Sequence, residues 1–197
     1  FVPPRPEMPI FMAARGDRSL LLCGRIADGL MISNMCTAGF TARARDIVAA
    51  AAEAAGRPAP GEIVQYVPCV ARADRAEAIR AAKQVLGDMV TGFWSLGARF
   101  AAARAAMLLD SGLDAPELEA AVARLAAGAP AAEALDDRFV AAFAVAFTAE
   151  DCLARAAVSA RAVVDELVLT FACDRAAPDI SYPRSRLAAT SPRPRRP

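Results

Sequence analysis

The sequence predicts an α/β protein built around a parallel β-sheet. Short apolar runs of strand length alternate with longer segments in which apolar residues recur at helical spacing. Residues 9–31 give the clearest example, because an apolar run, a glycine turn, a helix and a second apolar run follow directly on one another. Strands that alternate with helices form parallel sheets, since each helix carries the chain back across the sheet.

The first βα unit begins with a strand over residues 9–14 and breaks at Arg15-Gly16-Asp17. We expect Asp17 to be the N-cap of the following helix, because its carboxylate can accept hydrogen bonds from the unpaired amides of the first turn. Asp28-Gly29 ends that helix, and Leu30–Ser33 is the second strand. The turn between the first strand and its helix is a place where an anionic ligand can bind.

The remaining elements follow from the same signals. They are a helix over Thr41–Ala55, a strand over Glu62–Ala71, helices over residues 74–86, 87–112 (interrupted at Gly92 and Gly97), 114–127 and 131–146, a helix from Thr148 to about Ala162, and a strand over Asp165–Phe171. Proline cannot donate to a β-ladder, so Pro68 predicts a bulge or a strand end. Thr148 and Asp151 fit a capping box at the start of the last helix.

The chain divides into three segments in this interpretation. Residues 1–8 are proline-rich and extended, residues 9–172 form one domain, and residues 173–197 form a disordered tail rich in proline and arginine. The chain lacks an initiating methionine, so we also expect it to be a piece of a longer protein or a true half-domain.

Composition excludes several classes of function. The net charge is +1, from 23 basic and 22 acidic residues, which argues against a general nucleic-acid surface. No run of about 18 apolar residues is present, so we expect no membrane span. The first residues do not resemble a signal peptide, and we expect a cytoplasmic protein.

The five cysteines are scattered without a CxxC pair, and the chain has no histidine. We therefore expect reduced thiols and no metal site. The absence of histidine also removes the Ser-His-Asp and Cys-His mechanisms.

Six short motifs occur in an order that resembles one known family. They are the segment from Ala13-Ala14 through Gly16, Leu20 and Cys23-Gly24 to Ala27-Asp28-Gly29, then Ala55-Gly56-Arg57, the strand Ile63–Val70, Asp74-Arg75-Ala76-Glu77-Ala78, Thr148-Ala149-Glu150-Asp151, and Val164-Asp165-Glu166-Leu167-Val168-Leu169. On these residues the chain resembles the luciferase-like monooxygenase superfamily, and within it the coenzyme F420-dependent branch that includes methylenetetrahydromethanopterin reductase. Asp17 stands where the family usually has proline.

The resemblance implies a particular fold. The predicted strands would be strands five to eight of a TIM (β/α)8 barrel, with a helical insertion at about residues 87–146 that shapes the substrate side. Such a half-barrel leaves strand edges and an apolar face open, so we expect a homo-oligomer or a longer chain that covers them.

The resemblance also implies a binding site, since active sites of these barrels lie at the carboxyl ends of the strands. Carried over by position, the cofactor contacts are Ala13, Ala14, Arg15, Gly16, Asp17, Arg18, Ser33 and Asn34. Arg15 or Arg18 can pair with a phosphate, whereas the charge of Asp17 would repel one. A plain tight turn and ordinary loop capping explain the same residues without a ligand.

Other residues are weaker candidates for the binding site. Phe93, Trp94 and Phe100 can either wall a substrate pocket or pack helices, and packing is the more common role. Arg175 is a weaker candidate for an anion contact, and Glu166 is not proposed as a general acid. No catalytic residue is assigned, because the family's residues near the reacting ring come from the other half of the barrel.

Three functions remain open on the sequence. The first is an oxidoreductase that transfers hydride with coenzyme F420 and a small-molecule substrate. The second is an FMN-dependent luciferase-like monooxygenase. The third is a non-catalytic half-barrel that acts as a binding or assembly module, because a fold alone does not fix function.

Overall fold

The computed structural model describes residues 8–148 and 164–171 of the chain. In these residues it has five strands, β1 (Phe11–Ala13), β2 (Gly29–Ile32), β3 (Glu62–Ala71), β4 (Val145–Phe147) and β5 (Glu166–Phe171), and seven helices, α1 (Asp17–Ile26), α2 (Ala38–Ala54), α3 (Arg75–Leu96), α4 (Ala101–Leu108), α5 (Ala115–Ala126), α6 (Ala131–Ala134) and α7 (Asp137–Phe143). Apart from Met8 and Thr148, the predicted extended N-terminal segment, the predicted helix that begins at Thr148 and the predicted tail lie outside the described residues.

Every strand pairing in the sheet is parallel, as the alternation of strands and helices predicts. β1 pairs with β2, and β2 pairs with β3. β3 then has three neighbours, because β2 lies opposite its first four residues, β5 pairs with residues 64–69, and β4 pairs with residues 69–71. β5 overlaps both β2 and β4 along β3, so β2 and β4 lie on the side of β3 opposite to β5.

The expectation of a bulge or a strand end at Pro68 is wrong. β3 continues through Pro68, which is the register partner of Thr170 with no extra residue on either strand. On the other side of β3, β2 ends opposite Gln65 and β4 begins opposite Cys69. Pro68 therefore lies beside a gap between two neighbouring strands, where a missing N–H need not break a ladder.

The helical region also differs from the prediction in two places. Gly92 does not interrupt α3, which runs unbroken to Leu96. The predicted helix over residues 131–146 is instead two short helices followed by β4. Its last residues are extended because they pair with the end of β3, a contact between segments far apart in sequence that helical periodicity cannot report.

The core has two main parts. One lies under α1 and α2 and includes Leu20, Leu30 and Phe40. The other lies among α3 and the later helices and includes Leu86, Trp94 and Met107. α1 and α2 approach so closely at Gly24 that a Cβ atom there would lie 2.3 Å from the carbonyl oxygen of Val48.

Two aspartates fix the amino ends of the strands. Asp28 accepts a hydrogen bond from the backbone N–H of Ile10 (2.9 Å) and pairs with Arg57. Asp165 does the same for the N–H of Ile63 (2.9 Å) and pairs with Arg45. The aspartates of the Ala-Asp-Gly and Val-Asp-Glu motifs thus share a structural role, at the end of the sheet away from the strand carboxyl ends.

Within the described part of the chain, no helix combines the length and the apolar character that crossing a membrane requires. Cys23, Cys36 and Cys69 are buried and lie outside any disulfide. The same residues include no group of three or more histidine, cysteine, aspartate or glutamate side chains placed to hold a metal ion.

Candidate functional site

The candidate site forms where β1 and β2 end side by side. Their register pairs Ala13 with Met31, so Arg15 and Ser33 each come two residues later at the same level of the sheet. Parallel strands place their carboxyl ends at one edge, and this is the edge at which α/β barrels bind ligands. The family resemblance, together with the position of active sites in these barrels, had named Arg15, Ser33 and Asn34 as neighbours at this edge.

Asp17 is not the N-cap of α1, contrary to the prediction. Gly16 has that position, with extended backbone angles, and no side chain caps the helix. The carboxylate of Asp17 instead pairs with Arg43 at 2.8 Å, and this hydrogen bond holds its pKa below the ordinary value. The pair partly neutralises the charge that would repel a phosphate at this turn.

Arg15 is the centre of the cluster. Its Nη2 donates to the Ser33 hydroxyl oxygen (2.6 Å) and to the backbone carbonyl of Asn34 (2.5 Å). The guanidinium also lies over the ring of Phe93, 4.5 Å from its centroid. Such stacking favours a cation on an aromatic face. Two hydrogen bonds and one ring thus fix the orientation of Arg15 before any ligand binds.

Two polar atoms of this cluster are buried without a hydrogen-bond partner among the described residues. They are Nη1 of Arg15 and Oδ1 of Asn34. Buried polar atoms normally have partners, because leaving one unpaired costs about 1–3 kcal/mol. These two atoms therefore suit a ligand that offers a hydrogen-bond acceptor to Arg15 and a donor to Asn34, such as a phosphate ester that carries hydroxyl groups.

The other predicted site residues lie around this cluster in different environments. Ala14 is buried, Ala13 and Arg18 are exposed, and Gly16 is half-buried. The structure brings Arg15, Ser33 and Asn34 together, whereas the carboxylate of Asp17 is directed to Arg43. The cluster can bind an anion, but it is not suited to move protons, since an arginine stays charged in proteins.

The helical insertion covers one side of the site. A Cβ atom on Gly16 would lie 3.7 Å from the Cβ of Ala102 in α4. Thr37, the N-cap of α2, accepts from the N–H of Phe40 (3.1 Å) and donates through its hydroxyl to the carbonyl of Leu109. α4 therefore packs across the turn after β1 and the loop after β2.

The three aromatic residues considered from the sequence have three different roles. Trp94 is only 3% exposed and packs in the core, where Arg104 lies over its ring at 4.4 Å. Phe93 stacks on Arg15, and Phe100 is 60% exposed at the start of α4. Sequence reasoning missed the contributions of Thr37 and of Gln65, which is a buried glutamine inside an otherwise apolar strand.

Residues 1–166 match the model of the luciferase-like monooxygenase family. That match spans most of the chain, so the chain belongs to the luciferase-like monooxygenase family. A more specific relative is 5,10-methylenetetrahydromethanopterin reductase of Methanolobus tindarius, which is 28% identical over 152 residues. These residues are 76% of this chain and 44% of the reductase.

Solved structures confirm the predicted fold class. The coenzyme F420-dependent tetrahydromethanopterin reductase from Methanopyrus kandleri superposes with a TM-score of 0.65 at 21% identity, over 84% of this chain and 45% of that one. An F420-dependent secondary alcohol dehydrogenase gives 0.57 at 17% identity, over 85% and 44%. The chain thus spans less than half the length of the relatives it matches.

Proposed function

We propose that this chain is part of an F420-dependent oxidoreductase that transfers hydride to or from a small molecule, in the manner of methylenetetrahydromethanopterin reductase. The observation that supports this most is the guanidinium of Arg15, which is held in one orientation while its buried Nη1 has no hydrogen-bond partner within the described part of the chain. The similarity to 5,10-methylenetetrahydromethanopterin reductase, together with membership of the family, supports this class of reaction.

In this proposal Arg15, Ser33 and Asn34 hold the phosphate-bearing side chain of the cofactor. Nη1 of Arg15 donates to a phosphate oxygen, and Ser33 can donate as well, because its oxygen and not its hydrogen is used by Arg15. Gly16 keeps the turn narrow, so a ligand can approach the backbone there. The bound deazaflavin would supply the hydride chemistry, and the protein would position it.

An FMN-dependent monooxygenase is the second candidate, since FMN also carries a phosphate on a hydroxylated side chain. The cluster would contact that side chain and not the ring, so it serves both cofactors. A cytoplasmic location and a homo-oligomeric state belong to the same proposal. The non-catalytic half-barrel is the third candidate, and it predicts that neither cofactor binds.

The test is a calorimetric titration of the protein in its natural full-length form with F420 and with FMN. We expect tighter binding of F420, followed by hydride transfer that is visible in the cofactor absorbance. Arg15→Gln should weaken binding about 10- to 100-fold, the usual effect of losing one charge-assisted hydrogen bond. Arg25→Gln, an exposed arginine in the last turn of α1, is the matched control and should bind normally.

The outcomes separate the three candidates. If the protein binds FMN and not F420, the result would favour the FMN-dependent monooxygenase. Absence of binding by either cofactor to a folded protein would support the non-catalytic module. Equal effects of the Arg15 and Arg25 substitutions would contradict the assigned role of Arg15.

A further inference from the structure

We infer that Gln65 is a positioning residue of the site, whose buried side-chain amide holds the loop of residues 33–37 in the conformation that presents Ser33 and Asn34 to the ligand. This inference rests on the proposed function for the identity of the ligand. It adds a residue that lies on β3 and whose side chain points to the loop rather than to the cofactor.

Gln65 is the register partner of Ile32, the last residue of β2, so it lies level with the start of the loop. The residue is 7% exposed. Its Nε2 donates to the backbone carbonyl of Cys36 at 3.0 Å, and its Oε1 accepts from the hydroxyl of Thr41 at 3.0 Å. Both ends of the amide are thus used, one on the loop and one on α2.

The orientation of this amide is fixed by its partners. The carbonyl of Cys36 can only accept, so the nitrogen of the amide must face it and the oxygen must face Thr41. The Thr41 hydroxyl also lies 3.1 Å from the carbonyl of Thr37, at the end of the same loop. Thr41 has one hydroxyl hydrogen to share between these two acceptors, so the direct side-chain tether of the loop is the hydrogen bond from Gln65 to the carbonyl of Cys36.

The loop needs such tethers because its backbone is strained. Met35 has a φ of 62°, the left-handed region that residues with a side chain rarely adopt, and its side chain is fully buried. Arg15 binds the carbonyl of Asn34 on one side of Met35, and Gln65 binds the carbonyl of Cys36 on the other. The strained residue lies between two side-chain tethers.

A glutamine is suited to this position, and an apolar residue would not be. β3 is otherwise mostly apolar where it is buried, and a buried amide is costly unless its hydrogen bonds are made. Methionine has nearly the same size but cannot donate to Cys36. Replacing Gln65 therefore removes the tether while keeping the volume of the side chain.

The experiment compares Gln65→Met with Ile63→Val in the full-length protein. Ile63 lies two residues earlier on β3, so its side chain is on the same face, where it packs in the apolar core and has no polar atom to donate to a loop carbonyl. Two quantities are measured: the dissociation constant for F420, and amide hydrogen exchange over residues 33–37 without cofactor. Thermal unfolding is recorded for each variant.

We expect Gln65→Met to weaken cofactor binding about tenfold and to accelerate exchange in the loop about tenfold, with exchange in α5 unchanged. Ile63→Val should lower the melting temperature while leaving both quantities within about twofold. Thr41→Val should act like Gln65→Met but more weakly, and it decides the question if Gln65→Met does not fold.

Normal binding by Gln65→Met, or exchange that rises equally across the chain, would overturn the inference. If the unsubstituted protein binds neither F420 nor FMN, the proposed function fails instead. The exchange measurement still decides whether Gln65 holds the loop in that case.

Discussion

Replacing Gly24 by alanine should destabilise the protein although alanine favours helix. A Cβ atom at this position would lie 2.3 Å from the carbonyl oxygen of Val48, 2.7 Å from the Cβ of Ala51 and 3.0 Å from the nitrogen of Ala52. Two of these atoms are backbone, so α1 and α2 must move apart. Such overpacking costs about 1–3 kcal/mol, against about 1 kcal/mol gained from helix propensity.

The matched control is Gly92→Ala, near the carboxyl end of α3. Apart from the backbone of α3 itself, no atom of the described residues lies within 4 Å of a Cβ atom there, so only the helix propensity should change, by about 1 kcal/mol in favour of folding. Urea unfolding followed by circular dichroism measures both variants. A Gly24→Ala protein as stable as Gly92→Ala would refute the packing of α1 on α2. The packing matters for function because both helices begin at the candidate site.

Three further predictions concern stability and assembly. Asp165→Ala should cost about 1–3 kcal/mol in urea unfolding, because it leaves the N–H of Ile63 unpaired, and unchanged stability would contradict this. The hydrogen bond from Arg138 lowers the pKa of Asp136 below its ordinary 3.8. The pair therefore stabilises the folded state fully when the pH is above 3.8, and it stabilises the folded state progressively less as the pH falls through the lowered pKa. Arg138→Gln should therefore flatten the loss of stability as the pH falls below 3.8, and parallel curves of the free energy of unfolding against pH would exclude the effect. Ile26 is 53% exposed on α1, an apolar side chain on a surface through which the protein could associate. Association through this face predicts that Ile26→Glu reduces the sedimentation coefficient. An unchanged sedimentation coefficient would rule this face out as the oligomer interface.

The sequence predicted those parts of the fold that depend on local signals. β3 was predicted with its observed bounds, because its apolar run is closed by Gly61 before it and by polar residues after it. The end of α2 was clear for a similar reason, since Gly56 follows it with a φ of 66°. β4 could not be found in this way, because its three residues are extended only through pairing with β3.

The candidate site was predictable to a similar extent. The proximity of Arg15 and Ser33 follows from two parallel strands that end at the same level. The contact of Arg15 with Phe93 does not follow from the sequence, because it depends on how a long insertion packs back across the sheet. The role of Gln65 was also hidden, since a glutamine within a strand is usually solvated.

The assignment of the Arg15 turn as a phosphate site is tested most directly by comparing cofactors with and without their phosphate. The affinities of F420 and of its phosphate-free deazaflavin precursor are measured for the unsubstituted protein and for Arg15→Gln. We expect the unsubstituted protein to bind the phosphorylated form at least about tenfold more tightly, and we expect this preference to be lost when Arg15 is replaced. Equal affinities in the unsubstituted protein, or a preference that survives the substitution, would contradict the assignment of this turn as the phosphate site.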